Sequence, residues 1–373
     1  MSFSLSTLWH ERNRFLPGVL AVAFSALLIT VQFGILLGLL SLTSVPVDLA
    51  AADLWVGDPR VLSVDIGQQI PEAWVTRVKA QPEVDRVEKY LIWLLMADKP
   101  GSQRSICLVV GTRLDDGSLG ALPQIGPELR AKLSEPGSVV VDESDREKLG
   151  FSAIGDYVEV MGHRARLVGM VKNVRSLAAP YLFCSVETAH RLIDFIPQNQ
   201  TIYVLASCKN PADAQTVADR LRRLYPDMTA FTKQEFSNRT RWHWLTATKS
   251  GVAVGGSALL GLIVGAVVTS QTLYAATAAS LKEYATLRAL GIPRWRIGAA
   301  VLAQSAWIGG LGVAIALPAT FGVARLVDAI GARAILPWPL VVGSAVVTVV
   351  MALLSGLAAL RSLRLIEPAQ LLR

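Results

Sequence analysis

The sequence has 373 residues, 52% of them hydrophobic and 17% charged, with a formal net charge of +7. The positive charge forms no basic stripe with interleaved aromatics, which excludes a nucleic-acid-binding surface. No G-x-x-x-x-G-K-[ST] loop, H-E-x-x-H or G-x-S-x-G motif occurs, which excludes ATP hydrolysis by this chain alone and the common hydrolase chemistries.

Residues 1–15 place Phe3, Leu5, Leu8, Trp9 and Phe15 among polar neighbours, the pattern of an interfacial helix on the cytoplasmic side. Four charge-free runs follow along the chain: Leu16–Val47, Gly251–Ser280, Ile297–Ala324 and Ala334–Leu360. Each exceeds the ~20 apolar residues that cross a bilayer, so transmembrane helices are predicted at 16–47, 248–280, 297–324 and 334–360. The first run is longer than the roughly 7–15 residues of a signal h-region. An uncleaved anchor is therefore favoured over a secretory signal ending near Ala50–Ala52.

Charge sets the expected orientation. Residues 48–250 hold 25 Lys+Arg against 25 Asp+Glu, so the excess lies in short flanks, above all +3 in 281–296. Short basic flanks stay cytoplasmic, whereas long domains cross regardless of charge. Both termini, the tail 361–373 and segment 281–296 are expected inside; domain 48–247 and loop 325–333 are expected outside.

The outer domain reads as two strand–helix–strand units around a β-rich middle. In the first, Arg60–Asp65 is a strand, Pro71 opens a helix with Trp74 and Val78 on one face, and Val84–Met96 is a strand. In the second, Thr201–Cys208 is a strand and Asn210-Pro211 starts a helix with Ala214, Val217, Leu221 and Leu224 in register. Met228–Phe231 then returns as a strand. Between them, Ser138–Asp142, Tyr157–Met161, Arg166–Val171 and Tyr181–Ser185 alternate as strands, with a short helix at Glu143–Leu149. The predicted fold is an α-helical membrane protein with four transmembrane helices and an α+β extracytoplasmic domain. That domain has two βαβ halves and an inserted small β-rich subdomain. Cys107, Cys184 and Cys208 all fall in it, among apolar neighbours that favour buried thiols over one internal disulfide.

Thr232–Thr248 returns to the membrane through Trp242 and Trp244, residues suited to the interface belt. In the second span, Gly251-x-x-x-Gly255 and Gly261-x-x-x-Gly265 fit close helix packing, either within one subunit or across a dimer. No Asp, Glu, Lys, Arg or His lies inside the four charge-free runs, which argues against a proton- or ion-coupled carrier. The histidines are scattered, and no catalytic, cofactor or metal site is predicted.

Segment 281–296 (LKEYATLRALGIPRWR) carries Lys282, Arg288, Arg294 and Arg296 against Glu283. Gly291 sits at a helix C-cap, with Pro293 just beyond. By itself this is a basic loop that sets topology or a handle for a partner, and both readings stand. The stretch Glu283–Gly291 resembles the E-x-x-x-L-[RK]-A-[LM]-G element of FtsX/MacB-type (type VII) ABC transporter permeases, and of the DevC-like branch most of all. The tail Ile366–Arg373 and the segment Val139–Val171 are similar to that family's C-terminal ending and MacB-like periplasmic subdomain.

The resemblance implies a homodimer in the bacterial inner membrane, with a periplasmic domain and two separate ATPase subunits that bind the ATP and Mg. It makes 281–296 a coupling helix. Glu283 and Arg288 would supply polar contacts, Leu287 and Leu290 packing, and Gly291 the turn, with Tyr284 and Arg294 also in the coupling segment. It further implies a periplasmic membrane-fusion adaptor, an outer-membrane TolC-type channel, and a lipid or other amphipathic cargo. An FtsX-like regulator of cell-wall hydrolases and a membrane sensor or scaffold are the alternatives.

Overall fold

The computed structural model describes residues 12–98, 104–280, 286, 290–329 and 333–364. They fall into two units, Met1–Leu39 with Val252–Arg373 and Leu40–Gly251. The chain begins with helix α1 (Arg12–Ser41) and, after a turn, the five-residue helix α2 (Val45–Leu49). The first predicted span thus stops six residues early. Pro46 lacks the N–H that a helix running on from α1 would donate to the carbonyl four residues back, at Leu42.

In the second unit, strand β1 (Leu54–Gly57) precedes a two-residue strand β2 (Ile70–Pro71) and helix α3 (Trp74–Lys79). The 15-residue β3 (Val84–Asp98) leads to β4 (Ser105–Thr112), α4 (Pro127–Leu133) and β5 (Ser138–Asp142). Strands β6 (Tyr157–Val160), β7 (His163–Val171) and β8 (Tyr181–Ser185) follow, then α5 (Val186–Leu192) and β9 (Gln200–Thr201). Strand β10 (Tyr203–Cys208), helix α6 (Ala214–Leu224), β11 (Thr229–Thr232) and helix α7 (Lys233–Ala247) complete the unit.

The sheet runs β11-β1-β10-β3 through its first four strands, each neighbour antiparallel. The two strands of β1-α3-β3 therefore flank β10, and those of β10-α6-β11 flank β1. This is two interlocked split βαβ units, the ferredoxin-like arrangement. Leu54, Val56, Val204 and Ala206 face α3 and α6, where they meet Trp74, Val78, Val217 and Leu221 in one buried cluster. Trp55 points to the opposite face, as the period of two demands.

Beyond residue 90, β3 leaves β10 and pairs with β4, and the order continues β4-β8-β5-β7-β6. Strand β6 then pairs back to β3 at Ala97↔Val160 and Asp98↔Glu159. The inserted subdomain is thus a closed six-stranded barrel, which leaves no free edge for other chains to join. It holds Cys107 and Cys184, both buried; Cys208 lies in the other core, and all three are free thiols.

Two sequence expectations are corrected. Arg60–Asp65 is not a strand, although Val61 and Val64 are buried there. Asp58 turns back on its own chain, accepting from the Arg60 amide at 2.9 Å, and Val61 N donates to the Asp58 carbonyl at 3.1 Å. Such local bonds compete with a sheet ladder, and the first strand lies earlier, at Leu54–Gly57. The helix expected at Glu143–Leu149 is one 3-10 turn, Glu143–Asp145, capped by the Asp142 carboxylate.

After α7, helices α8 (Lys249–Ala279), α9 (Arg294–Ala329) and α10 (Trp338–Arg364) belong with α1 to the other unit. At about 1.5 Å per residue, helices of 27 to 36 residues run roughly 40–54 Å, more than a hydrocarbon core of about 30 Å. All four meet the length and hydropathy of membrane spans. Phe15, Val19, Val22, Leu273, Ile308 and Ala352 bring the four helices into one apolar cluster. Hydroxyls add cross-links. Ser25 Oγ donates to the Gly265 carbonyl and accepts from Thr269 Oγ1, both at 3.0 Å, while Thr30 Oγ1 and Ser344 Oγ lie 2.7 Å apart. The extended chain before α10 crosses α1 where Gly34 and Gly38 open its surface. Ile335 N donates to the Gly34 carbonyl at 3.0 Å, and a Cβ on Gly38 would overlap the Arg333 carbonyl oxygen.

Candidate coupling elements

Of the residues assigned to ATPase coupling, Glu283, Tyr284, Leu287 and Arg288 lie outside the described residues. The end of the segment is described. Leu290 N donates to the Thr286 carbonyl at 3.0 Å, a last helical turn. Gly291 follows at φ +87°, the left-handed conformation that ends helices and that glycine adopts without strain. Leu290 is 76% exposed, an apolar side chain facing outward at this turn. Arg294 opens α9, and the Arg296 guanidinium lies over the exposed Trp295 ring.

The packing glycines divide by role. Gly261 approaches Gln32 and Leu28, and Gly265 approaches Ser25 and Ile29, so both seat α8 against α1 of the same chain. Gly251 belongs to the junction of α7 and α8. A single extended residue, Thr248 (φ −100°, ψ 145°), separates the two helices, and its Oγ1 accepts from Gly251 N at 3.1 Å. A Cβ on Gly251 would overlap the Trp244 carbonyl, so the tight turn requires glycine there. Gly255 is half-buried.

Helix α7 starts where Thr232 and Glu235 form a capping box: Thr232 Oγ1 accepts from Glu235 N and Glu235 Oε2 accepts from Thr232 N. Phe236 then enters an aromatic cluster on the open face of the sheet, with ring centroids 5.5 Å from both Trp55 and Tyr203. One turn on, the helix is tied to α2, the segment just past α1. Asp48 Oδ2 accepts from Arg241 Nη2 at 2.6 Å and from Ser44 Oγ at 2.7 Å. Its Oδ1 accepts from Ser237 Oγ at 2.7 Å. Arg241 Nε donates to Ser44 Oγ at 2.9 Å, and Lys233 Nζ to the Ala50 carbonyl at 2.7 Å.

The same helix holds the 58–67 loop. Arg239 Nε donates to the Val61 carbonyl at 2.9 Å, Thr240 Oγ1 accepts from Val64 N at 3.2 Å, and Trp244 Nε1 donates to Asp65 at 3.3 Å. Trp244 is therefore engaged in the fold, while Trp242 is 66% exposed. Together α2 and α7 form a neck in which the chain entering the unit and the chain leaving it share one carboxylate. Sequence reading missed this latch. A charged Asp just past one span and an Arg just before the next were visible, but nothing local pairs residues 193 positions apart.

Residues 19–224, more than half of the chain, match the MacB-like periplasmic core domain family, and residues 255–368 match the FtsX-like permease C-terminal family. A relative described as an uncharacterized ABC transporter permease of Methanocaldococcus jannaschii is 23% identical over 234 residues. The match covers 59% of this chain and 57% of that protein. Among solved structures, the periplasmic region of MacB from Actinobacillus actinomycetemcomitans aligns with 11% identity and TM-score 0.35, over 52% of this chain and 94% of that one. The extracellular domain of the noncanonic ABC-type transporter YknZ from Gram-positive bacteria aligns with 11% identity and TM-score 0.33, over 48% and 99%.

Proposed function

This chain belongs to the FtsX/MacB-type ABC transporter permeases, and we propose that it converts ATP hydrolysis by a separate ATPase subunit into movement of its extracytoplasmic domain. In this reading two copies of the chain bind two ATPases, which hold the ATP and Mg. Glu283, Tyr284, Leu287, Arg288, Leu290, Gly291 and Arg294 form the docking segment between α8 and α9. Both termini lie on the ATPase side, and the cargo is lipid or another amphipathic molecule. A periplasmic adaptor and an outer-membrane TolC-type channel, as in the DevC-like branch, would receive the output.

The neck carries this reading. A lever needs a stiff joint where the load enters, and Asp48 joins α2 to α7 through charge-assisted bonds at the two points where the chain enters and leaves the domain. The apolar spans, linked by hydroxyl–hydroxyl and hydroxyl–carbonyl bonds, suit transmission better than ion passage.

The test is co-purification of the tagged full chain from membranes, with ATPase assay, beside Glu283→Ala and Arg288→Ala. Recovery of an ATPase whose binding or turnover falls in the variants supports the proposal. Recovery of no ATPase in any nucleotide condition refutes it. An adaptor in the same complex separates export from regulation of cell-wall hydrolases.

A further inference from the structure

The tight turn into α8 brings the 58–67 loop to the start of a membrane span. Gly251 lies so close to Trp244 that a Cβ on it would overlap the Trp244 carbonyl, and Gly251 is the third residue of the span Lys249–Ala276. From the same Trp244 the indole Nε1 donates to Asp65 Oδ1 at 3.3 Å. A single residue therefore bridges the loop and the point where the chain enters the bilayer. Arg239 and Thr240 bond Val61 and Val64 one turn further back, which fixes the loop along α7.

The loop divides its apolar side chains between two environments. Val61 and Val64 are buried in the domain core, whereas Leu62 and Ile66 are 45% and 46% exposed. Trp242, two residues before Trp244, is 66% exposed. Apolar side chains scattered singly over a surface need no explanation, but these three gather beside the entry of a span. The charges there suit a phosphate surface. Arg60, Arg239 and Lys249 are exposed and outnumber Asp58 and Asp65. Both carboxylates turn onto the protein's own donors, Asp58 onto Arg60 Nε and Nη2 at 2.9 and 3.0 Å, and Asp65 onto Ser63 Oγ and Trp244 Nε1.

We propose that Leu62, Ile66 and Trp242 insert into the phospholipid interface of the leaflet facing the extracytoplasmic domain. The 58–67 loop then anchors that domain to lipid in addition to its two covalent connections to the spans. The occupant is lipid because this surface is continuous with the bilayer that α8 enters. The interfacial layer outside the hydrocarbon core is roughly 5–8 Å deep, and surfaces that pair apolar side chains with Lys and Arg lie in it, with Trp favoured there. Leu94, Met96 and Ile106 on the barrel are exposed to a similar degree but have no span beside them in the chain. The inference rests on α8 being a membrane span and not on the ATPase reading, so failure to recover an ATPase leaves it standing.

The experiment attaches bimane to the introduced thiol of the Leu62→Cys and Ile66→Cys variants and, for comparison, of Leu94→Cys, where the native side chain is 47% exposed. The three native cysteines are buried and stay unlabelled in the folded chain. Each full chain is placed in phosphatidylcholine nanodiscs with or without lipid carrying a nitroxide on its headgroup. Emission at 62 and 66 should fall about twofold or more with the nitroxide lipid, since both probes then lie in the same layer roughly 5–8 Å deep. Emission at 94 should not change. A second readout needs no label. In the Leu62→Ser/Ile66→Ser double variant, amides of 58–67 should exchange about three to ten times faster than in the wild type in the same nanodiscs, with β4 and β8 unchanged. Side chains that faced only water would leave that exchange as it was. Absence of quenching at 62 and 66 in chains that melt with the wild type overturns the proposal, as does equal quenching at 94. If a labelled variant melts early, the double-serine variant decides, and unchanged exchange in it overturns the proposal as well.

Discussion

If Asp48 and Arg241 join the two ends of the extracytoplasmic domain, removing that contact should loosen the neck and nothing else. Arg241→Gln deletes the 2.6 Å bond to Asp48 and the 2.9 Å bond to Ser44, while Asp48 keeps Ser44 and Ser237 as donors. A buried charge-assisted hydrogen bond contributes about 1.5–3 kcal/mol. Both side chains here are about a third exposed, at 35% and 33%, and solvent screens the pair. The expected loss is therefore about 1–2 kcal/mol, a factor of about 5–30 in a local opening equilibrium. Hydrogen–deuterium exchange on the full chain in nanodiscs reads this directly. Amides of 45–49 and 233–247 should exchange about 5–30 times faster, while those of β4 and β8 in the barrel keep their wild-type rates. Unchanged protection in α2 and α7 would refute the latch. Equal loss throughout the barrel would show that Arg241 supports global stability and not the joint.

Glu88 is buried in the sheet, where it accepts from Leu119 N at 2.9 Å and Ser118 Oγ at 3.0 Å; burial holds its carboxyl above the ordinary value. Stability from such a group is full below the unfolded value of 4.5 and is lost as pH rises through the folded one. Chemical denaturation should therefore find Glu88→Gln more stable than wild type near pH 7, with the two converging near pH 4; a constant difference would contradict this. Burial pushes the Cys107 thiol up to about 12 and Cys208 to about 11, and Cys184 higher still. Iodoacetamide near pH 8 should thus label none of them in the folded chain and all of them after denaturation, and a disulfide-linked species would refute the free-thiol assignment. Gly38→Ala should displace the Arg333 carbonyl and lower stability by about 1–3 kcal/mol, whereas Gly256→Ala, with open space around its Cβ, should not. Equal melting of the two variants would contradict the close crossing at α1.

The legible and illegible parts of this protein differ in the range of the forces that make them. The spans could be read because a bilayer demands long runs without charge, a property of contiguous residues. The helix at Ala214–Leu224 was equally readable: Asn210 caps its entry, Pro211 follows, and Val217 and Leu221 repeat on one face. Arg60–Asp65 shows where such reasoning fails. Its apolar spacing suits a strand, but the Asx turn at Asp58 bends the backbone before any ladder can form.

By itself, then, the sequence determined four membrane-crossing helices, two strand–helix–strand units and a β-rich insert, because each depends on local periodicity or composition. The tertiary structure alone decided that the insert closes into a barrel, since Ala97 must find Val160. It alone seated Gly261 and Gly265 on α1, and joined Asp48 to Arg241 across 193 residues. Pairings at that separation are chosen by the whole packed core, and no window of neighbouring residues carries them.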